Sequence, residues 1–289
     1  MSAIDYPPLF LDPIEYRKIL QTKHQDSSLN ISFNLGLTKT RVLLRKGFII
    51  FENNYEIPVP EQNLIREEDK RTVLIFKHGC WQKWIYYDQV SDQFIKPVFV
   101  LPHKPPTVEI SGIKMHVTEN QDPMKDTMLK IQALGNVRGK VFDTCCGLGY
   151  TAIFLANLRS VSQVLCAEIS GIIISICREN PWSRKLFELP KINLIAGNTA
   201  EIIGTIPDKS FGGILHDPPR YALSPDLYTE ELYSHFFRIL SRRGRLYHYT
   251  GNPKKEQRRG LAERTMSRLK SVGFSQTKKV YQGVVAQKL

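Results

Sequence analysis

The stretch Val141-Phe142-Asp143-Thr144-Cys145-Cys146-Gly147-Leu148-Gly149-Tyr150-Thr151-Ala152 constrains the fold more than any other part of the chain. An apolar strand runs into an acidic residue, two glycines one residue apart follow, and a helix-forming run then begins. Glycine at such a turn lets a ligand approach the backbone, and the start of the helix offers free N–H groups to that ligand. The next apolar strand ends on Glu168, 19 residues after Gly149, where a carboxylate can grip both hydroxyls of a ribose. A strand, a glycine turn, a helix and an acid-ended strand read as the opening of an open α/β sheet.

The rest of the chain divides around that feature. Residues 1–110 are expected to form a small β-rich domain with a helical lead-in that starts near Pro13. Strands are expected at Ile31–Leu35, Arg41–Leu44, Phe48–Phe51, Thr72–Phe76, Lys83–Tyr87 and Pro97–Val100, separated by turn residues such as Lys46-Gly47 and His78-Gly79. Pro102, Pro105 and Pro106 mark a stiff exit from it. Residues 111–289 alternate strands with helices. Strands fall at Lys140–Asp143, Gln163–Glu168, Ile192–Ala196, Phe211–His216, Arg245–Tyr249, Lys278–Tyr281 and Gly283–Ala286; helices fall near 151–158, 170–179, 228–240 and 256–271. Such alternation implies a mostly parallel sheet covered on both faces. The last two strands are too close for a crossover helix and must form an antiparallel hairpin at the edge of the sheet.

Charge is unevenly spread. Residues 1–110 carry 14 Lys/Arg against 13 Asp/Glu, whereas residues 111–289 carry 26 against 15. Residues 238–270 alone hold 11 basic residues and two acids, Glu256 and Glu263. A segment of this density repels itself unless a polyanion screens it, so RNA is the expected partner; a solvated helix face and an anionic small molecule are the alternatives. No apolar run approaches the ~20 residues needed to cross a bilayer, so no membrane partner is expected. Five cysteines, two of them adjacent and none in zinc spacing, fit a reduced cytoplasm and no metal.

Asp217-Pro218-Pro219 falls where the fourth strand of the second part ends, on the edge where open α/β sheets bind ligands. Two prolines remove two N–H donors and leave a cluster of acceptors, the Asp217 carboxylate and backbone carbonyls. Such a cluster suits an amino group that must shed positive charge as it attacks a methyl sulfonium. A nicotinamide dinucleotide site is the competing reading of the glycine turn, because Ala152 can replace its last glycine. The Leu215-His-Asp-Pro-Pro-Arg stretch decides against it.

These stretches resemble the class I, Rossmann-like S-adenosylmethionine-dependent methyltransferase superfamily. The likeness is strongest to a mostly archaeal, uncharacterised group with the motifs found here at Asp143–Ala152, Asn180–Ser183, His216–Arg220 and His248–Pro253. The resemblance implies an α/β, seven-stranded sheet with only its last strand antiparallel, and S-adenosyl-L-methionine as cofactor. It places Asp143, Cys145, Gly147 and Gly149 along the methionine part of the cofactor, Glu168 at the ribose and Asn198 at the adenine edge. Asp217 lies between cofactor and acceptor, and Pro218, His216 and Arg220 accompany it on the catalytic side. Three positions depart from the usual pattern: Cys145 replaces a glycine, Asn198 an aspartate, and Arg220 an aromatic residue that would stack on a base. The basic segment and the Asp217-Pro218-Pro219 stretch make methylation of a nitrogen in RNA the expected activity. Methylation of a small metabolite, an aminopropyltransferase-like reaction and a non-catalytic RNA-binding scaffold are the other readings. The glycine- and aspartate-rich cofactor loop of spermidine synthases is missing.

Overall fold

The computed structural model describes residues 8–22, 26–119, 121–251 and 260–289. The chain forms two compact units, Met1–Met124 with Glu179–Trp182, and Lys125–Arg178 with Ser183–Leu289.

In the first unit the lead-in helix runs over Pro13–Thr22. Asp12 caps it by accepting from the backbone N–H groups of Ile14 at 2.8 Å and Glu15 at 2.9 Å. The helix buries Tyr16 and Ile19 among Leu11, Ile31, Val42, Leu44, Ile49 and Trp81. Three antiparallel sheets supply the remainder. One joins Leu9–Leu11, Leu74–Lys77 and Cys80–Lys83; the second joins Ser27–Ile31, Thr40–Arg45, Phe48–Phe51 and Glu56–Pro58. The third joins Tyr86–Asp88, Gln93–Val98, Thr107–Ile110 and Ile113–Lys114. Thr40–Arg45 shows why: Val42 and Leu44 are buried while Arg41, Leu43 and Arg45 face out, the period of two that a half-buried strand requires.

Three expectations for this unit need correction. The strand expected at Ile31–Leu35 ends at Ile31, because polar side chains divert the backbone. Gly36 donates its N–H to Ser32 Oγ at 2.8 Å, Thr38 donates to Asn34 Oδ1 at 2.9 Å, and Leu35 turns to φ 56°. The run expected at Lys83–Tyr87 is broken at Trp84-Ile85 into two strands that belong to different sheets. The division expected after residue 110 falls inside a hairpin, since Thr107–Ile110 pairs with Ile113–Lys114.

The second unit contains all seven strands expected there: β1 (Gly139–Asp143), β2 (Val161–Glu168), β3 (Ile192–Ala196), β4 (Phe211–His216), β5 (Leu240–Tyr249), β6 (Gln276–Val280) and β7 (Gly283–Gln287). Their order in the sheet is β3-β2-β1-β4-β5-β7-β6. β1 to β5 pair in parallel, and β7 runs antiparallel to both β5 and β6. The sheet is therefore seven-stranded and Rossmann-like, with only its last strand antiparallel, as expected. The helices are α1 (Pro123–Leu134), α2 (Tyr150–Ala156), α3 (Gly171–Glu179), α4 (Lys185–Glu188), α5 (Thr199–Thr205), α6 (Glu230–Ile239) and α7 (Leu261–Ser271). Consecutive residues such as Val141-Phe142 and Ile214-Leu215 are fully buried, so the central strands are covered on both faces. Leu232, Tyr233 and Phe236 of α6 and Leu269 of α7 pack with Phe142, Ile214 and Leu246. Gly213 of β4 admits Val137, two residues before β1: a Cβ there would lie 2.6 Å from Val137 Cγ1.

Candidate functional site at the carboxyl edge of the sheet

The parallel register gathers three carboxylates at one edge. Asp143, the last residue of β1, lies opposite Cys166 of β2 and Leu215 of β4. Glu168, the last residue of β2, and Asp217, one residue past the end of β4, each lie two residues beyond those partners, on either side of Asp143. Backbone hydrogen bonds fix the turn between them. Thr144 N–H donates to the Leu215 carbonyl at 3.0 Å and Cys146 N–H to the Ala167 carbonyl at 2.8 Å, so the chain leaving β1 is tied to both neighbours. Gly147 and Gly149 then take positive φ of 53° and 77°. At Gly149 a Cβ would also lie 2.8 Å from Leu186 Cδ2. Gly147 N–H donates to Glu168 Oε2 and Ser170 N–H to Glu168 Oε1, both at 2.9 Å. Each oxygen of Glu168 is oriented by the backbone and keeps lone pairs for a ligand.

Burial dominates the electrostatics here. It pushes the Asp143 carboxyl up to about 7, with Asp217 and Glu168 adding to the rise and a hydrogen bond from Thr151 Oγ1 and the charge of Lys130 opposing it. Asp143 Oδ1 is buried and has no hydrogen-bond partner among the described residues. Burial likewise raises Glu168 against its backbone N–H donors. Cys145 is held as a neutral thiol, by burial first and then by the nearby carboxylates. This argues against a nucleophilic role for it.

Asp217 is joined to a group that sequence reasoning missed. Lys130 Nζ lies 2.6 Å from Asp217 Oδ2 and 2.8 Å from Asp126 Oδ2, 5.2 Å above the Tyr249 ring, and its side chain is 2% exposed. Tyr281 OH donates to the other oxygen of Asp126 at 2.8 Å. The two carboxylates raise the Lys130 ammonium well above the usual lysine range, overcoming a burial that lowers it. Burial pushes Asp217 up and Lys130 pulls it back. A signal was present in the sequence: Asp126 and Lys130 recur at helical spacing with Thr127, Ile131 and Leu134, so both charges lie on the buried face of α1.

The other expected residues separate into those at the edge and those behind it. Pro218 is buried, and among the described residues nothing donates to its carbonyl, whereas the Pro219 carbonyl accepts from Tyr228 OH at 2.8 Å. His216, expected on the catalytic side, is instead a core residue. Its Nε2–H donates to the Leu227 carbonyl at 2.9 Å, its Nδ1 accepts from Thr144 Oγ1 at 2.6 Å, and burial lowers it to about 4. With both nitrogens engaged and no charge at neutral pH, it can neither touch a substrate nor move a proton for one. His248 is similar: Tyr233 OH donates to Nε2 at 2.7 Å and Nδ1–H donates to the Tyr249 carbonyl at 2.8 Å. Arg220 is exposed, and its carbonyl accepts from Leu223 N–H at 2.7 Å. Asn198 caps α5, its Oδ1 accepting from Ala200 N–H at 3.0 Å, so only the remaining lone pair and the Nδ2 donors are left for a base.

The basic segment is less available than its composition implied. Arg238 bonds the Ile203 and Ile206 carbonyls and Asp208, Arg245 bonds the Leu134 carbonyl, and Arg268 bonds the Tyr228 carbonyl. Four more basic residues of the segment, Lys254, Lys255, Arg258 and Arg259, lie outside the described residues.

The strand order and its single reversed strand define a Rossmann-like sheet of the methyltransferase type, joined to a β-rich unit. The chain belongs to the family of the uncharacterized protein MJ1233 of Methanocaldococcus jannaschii, to which it is 42% identical over 285 residues, 94% of this chain and 93% of that one. No family model matches the chain. Among solved structures it is similar to a spermidine synthase in complex with the transition-state analogue AdoDATO, at TM-score 0.59 and 22% identity, covering 73% of this chain and 76% of that one. The spermidine synthase of Thermotoga maritima aligns at TM-score 0.56 and 22% identity, covering 73% and 75%. At that identity the likeness is one of fold. Its coverage exceeds the second unit, which holds little more than half of the chain.

Proposed function

We propose that the protein is an S-adenosylmethionine-dependent methyltransferase that acts on a nitrogen atom, with RNA as the acceptor. The observation that carries this is the set of three acids flanking a left-handed glycine turn, one of them with a buried oxygen lacking a partner. Asp143 Oδ1 suits the ammonium group of the methionine part. Glu168, an acceptor already oriented by two N–H groups, suits the ribose hydroxyls, and Asn198 the adenine edge. Bound there, the cofactor supplies an electrophilic methyl group on sulfur. Asp217 and the Pro218 carbonyl accept hydrogen bonds from the incoming amino group, orient it and stabilise the positive charge it develops. The charge of residues 111–289 supports RNA as the acceptor.

A small amine, methylated or aminopropylated, is the second reading. It is favoured by the acidity of the sheet edge, where Lys130 is the one cation among the groups that shift Asp143 and Asp217, and by the fold shared with spermidine synthases. A non-catalytic scaffold would bind cofactor and RNA without turnover.

Filter binding separates the first two readings. Single-stranded RNA is expected to bind with a log affinity against log salt slope of about −0.7 per phosphate contact, and serine at Lys254, Lys255, Arg258 and Arg259 should flatten it by about two to three units. Salt-insensitive or absent RNA binding turns the assignment to the small amine.

Asp143 gives the cofactor assignment a pH signature. A carboxyl raised to about 7 holds its proton below that pH and must release it to face an ammonium group. Affinity for S-adenosylmethionine should therefore fall about fivefold from pH 7 to pH 6, and approach a tenfold loss per unit below that. Calorimetry in two buffers of different ionisation enthalpy should show the released proton. A flat affinity profile would mean that Asp143 does not meet the ammonium.

A further inference from the structure

We infer that Lys130 is the positioning residue of the acceptor side: by bridging Asp126 and Asp217 it keeps Asp217 ionised and engages only its Oδ2, leaving Oδ1 for the amino group of the acceptor. This rests on the methyltransferase reading above. Lys130 Nζ sits 2.6 Å from Asp217 Oδ2 and 2.8 Å from Asp126 Oδ2, and among the described residues none donates to Asp217 Oδ1. The bridge is itself anchored. Asp126 and Lys130 lie one turn apart on α1, Tyr281 OH, directly after β6, holds the far oxygen of Asp126, and Tyr249 at the end of β5 lies under the ammonium. Three elements therefore converge to fix one carboxylate. A lone buried carboxylate would favour its neutral form, whereas one paired with a buried ammonium stays charged. The side chain of Asp217 is 20% exposed against 2% for Lys130, so the acid reaches the edge of the sheet and the lysine stands behind it. An ionised carboxylate with one oxygen committed and one open accepts a hydrogen bond in a single direction. It orients a neutral amine for attack and takes no part in binding the cofactor.

The test needs no acceptor molecule. Sinefungin carries an amino group where S-adenosylmethionine carries its transferable methyl; S-adenosylhomocysteine carries nothing there. At pH 8.5 the wild type should bind sinefungin at least about tenfold more tightly than S-adenosylhomocysteine, the effect of a charge-assisted hydrogen bond to Asp217. In the double variant Asp126→Asn/Lys130→Met, which keeps the net charge of the triad, that preference should vanish while S-adenosylhomocysteine affinity stays unchanged. Lys130→Arg, which keeps the bridge, should keep the preference and guards against a double variant that fails to fold. A preference that survives in the double variant, or one lost in Lys130→Arg with S-adenosylhomocysteine binding intact, overturns the inference. A wild type that binds S-adenosylhomocysteine but shows no preference does the same. A wild type that binds neither ligand overturns the cofactor reading itself.

Discussion

Lys130→Met will lower the melting temperature by about 10 °C. The substitution leaves Asp126 and Asp217 facing each other around an apolar side chain, with no counter-ion for either among the described residues. Removing one partner of a buried ion pair costs about 3–5 kcal/mol, because the remaining charge is desolvated and uncompensated. At about 2–4 °C per kcal/mol for a protein of this size, that cost is easily resolved in a thermal scan. Adding Asp126→Asn removes the facing charge while keeping an acceptor for Tyr281 OH, and should recover most of the loss. A shift below 2 °C in the single variant would mean that the ammonium is replaced by water or a second cation, and that the triad is not closed.

Asp217→Ala should have the opposite profile. Lys130 keeps Asp126 as its counter-ion, so the fold survives with a cavity the size of a carboxylate. Cofactor affinity should stay within a few-fold, because Glu168 and the glycine turn hold their geometry through backbone hydrogen bonds that do not involve Asp217. Transfer of labelled methyl to RNA should fall by at least about 100-fold, the usual cost of removing one group aimed at charge that develops in the transition state. Normal transfer would reduce the Asp-Pro-Pro loop to a structural turn.

Where the sequence pattern is dense, the fold was legible. The central strands of the second unit carry apolar runs such as Val141-Phe142 and Ile214-Leu215, and the short link between the last two strands forces their hairpin. The first unit was harder to read because its strands are short and their ends are decided by side chains that compete for backbone N–H groups, as Ser32 and Asn34 do. In the candidate site, the shared edge of Asp143, Glu168 and Asp217 was legible because each stands at a strand end or one residue past it. Lys130 was missed despite its helical spacing with buried neighbours, since its partner lies 87 residues away and a lysine in a helix ordinarily faces water. His216 misled for the converse reason: it neighbours Asp217 in sequence, but alternation along a strand points successive side chains to opposite sides, and its own side is the core. In the basic segment, composition alone does not show that Arg238, Arg245 and Arg268 are engaged with carbonyl oxygens.

The central claim is that the glycine turn and Glu168 hold S-adenosylmethionine, and calorimetric titration of the cofactor into wild type and Glu168→Ala tests it most directly. Losing hydrogen bonds from two ribose hydroxyls to a charged acceptor should weaken binding by about 2–4 kcal/mol, or roughly 30- to 1000-fold. The variant must keep its melting temperature, because Gly147 and Ser170 N–H also lose their acceptor. A wild type that binds and a folded Glu168→Ala that binds far more weakly is the predicted result. Equal affinity in the two proteins, or a wild type that takes up no heat with the cofactor, would contradict it.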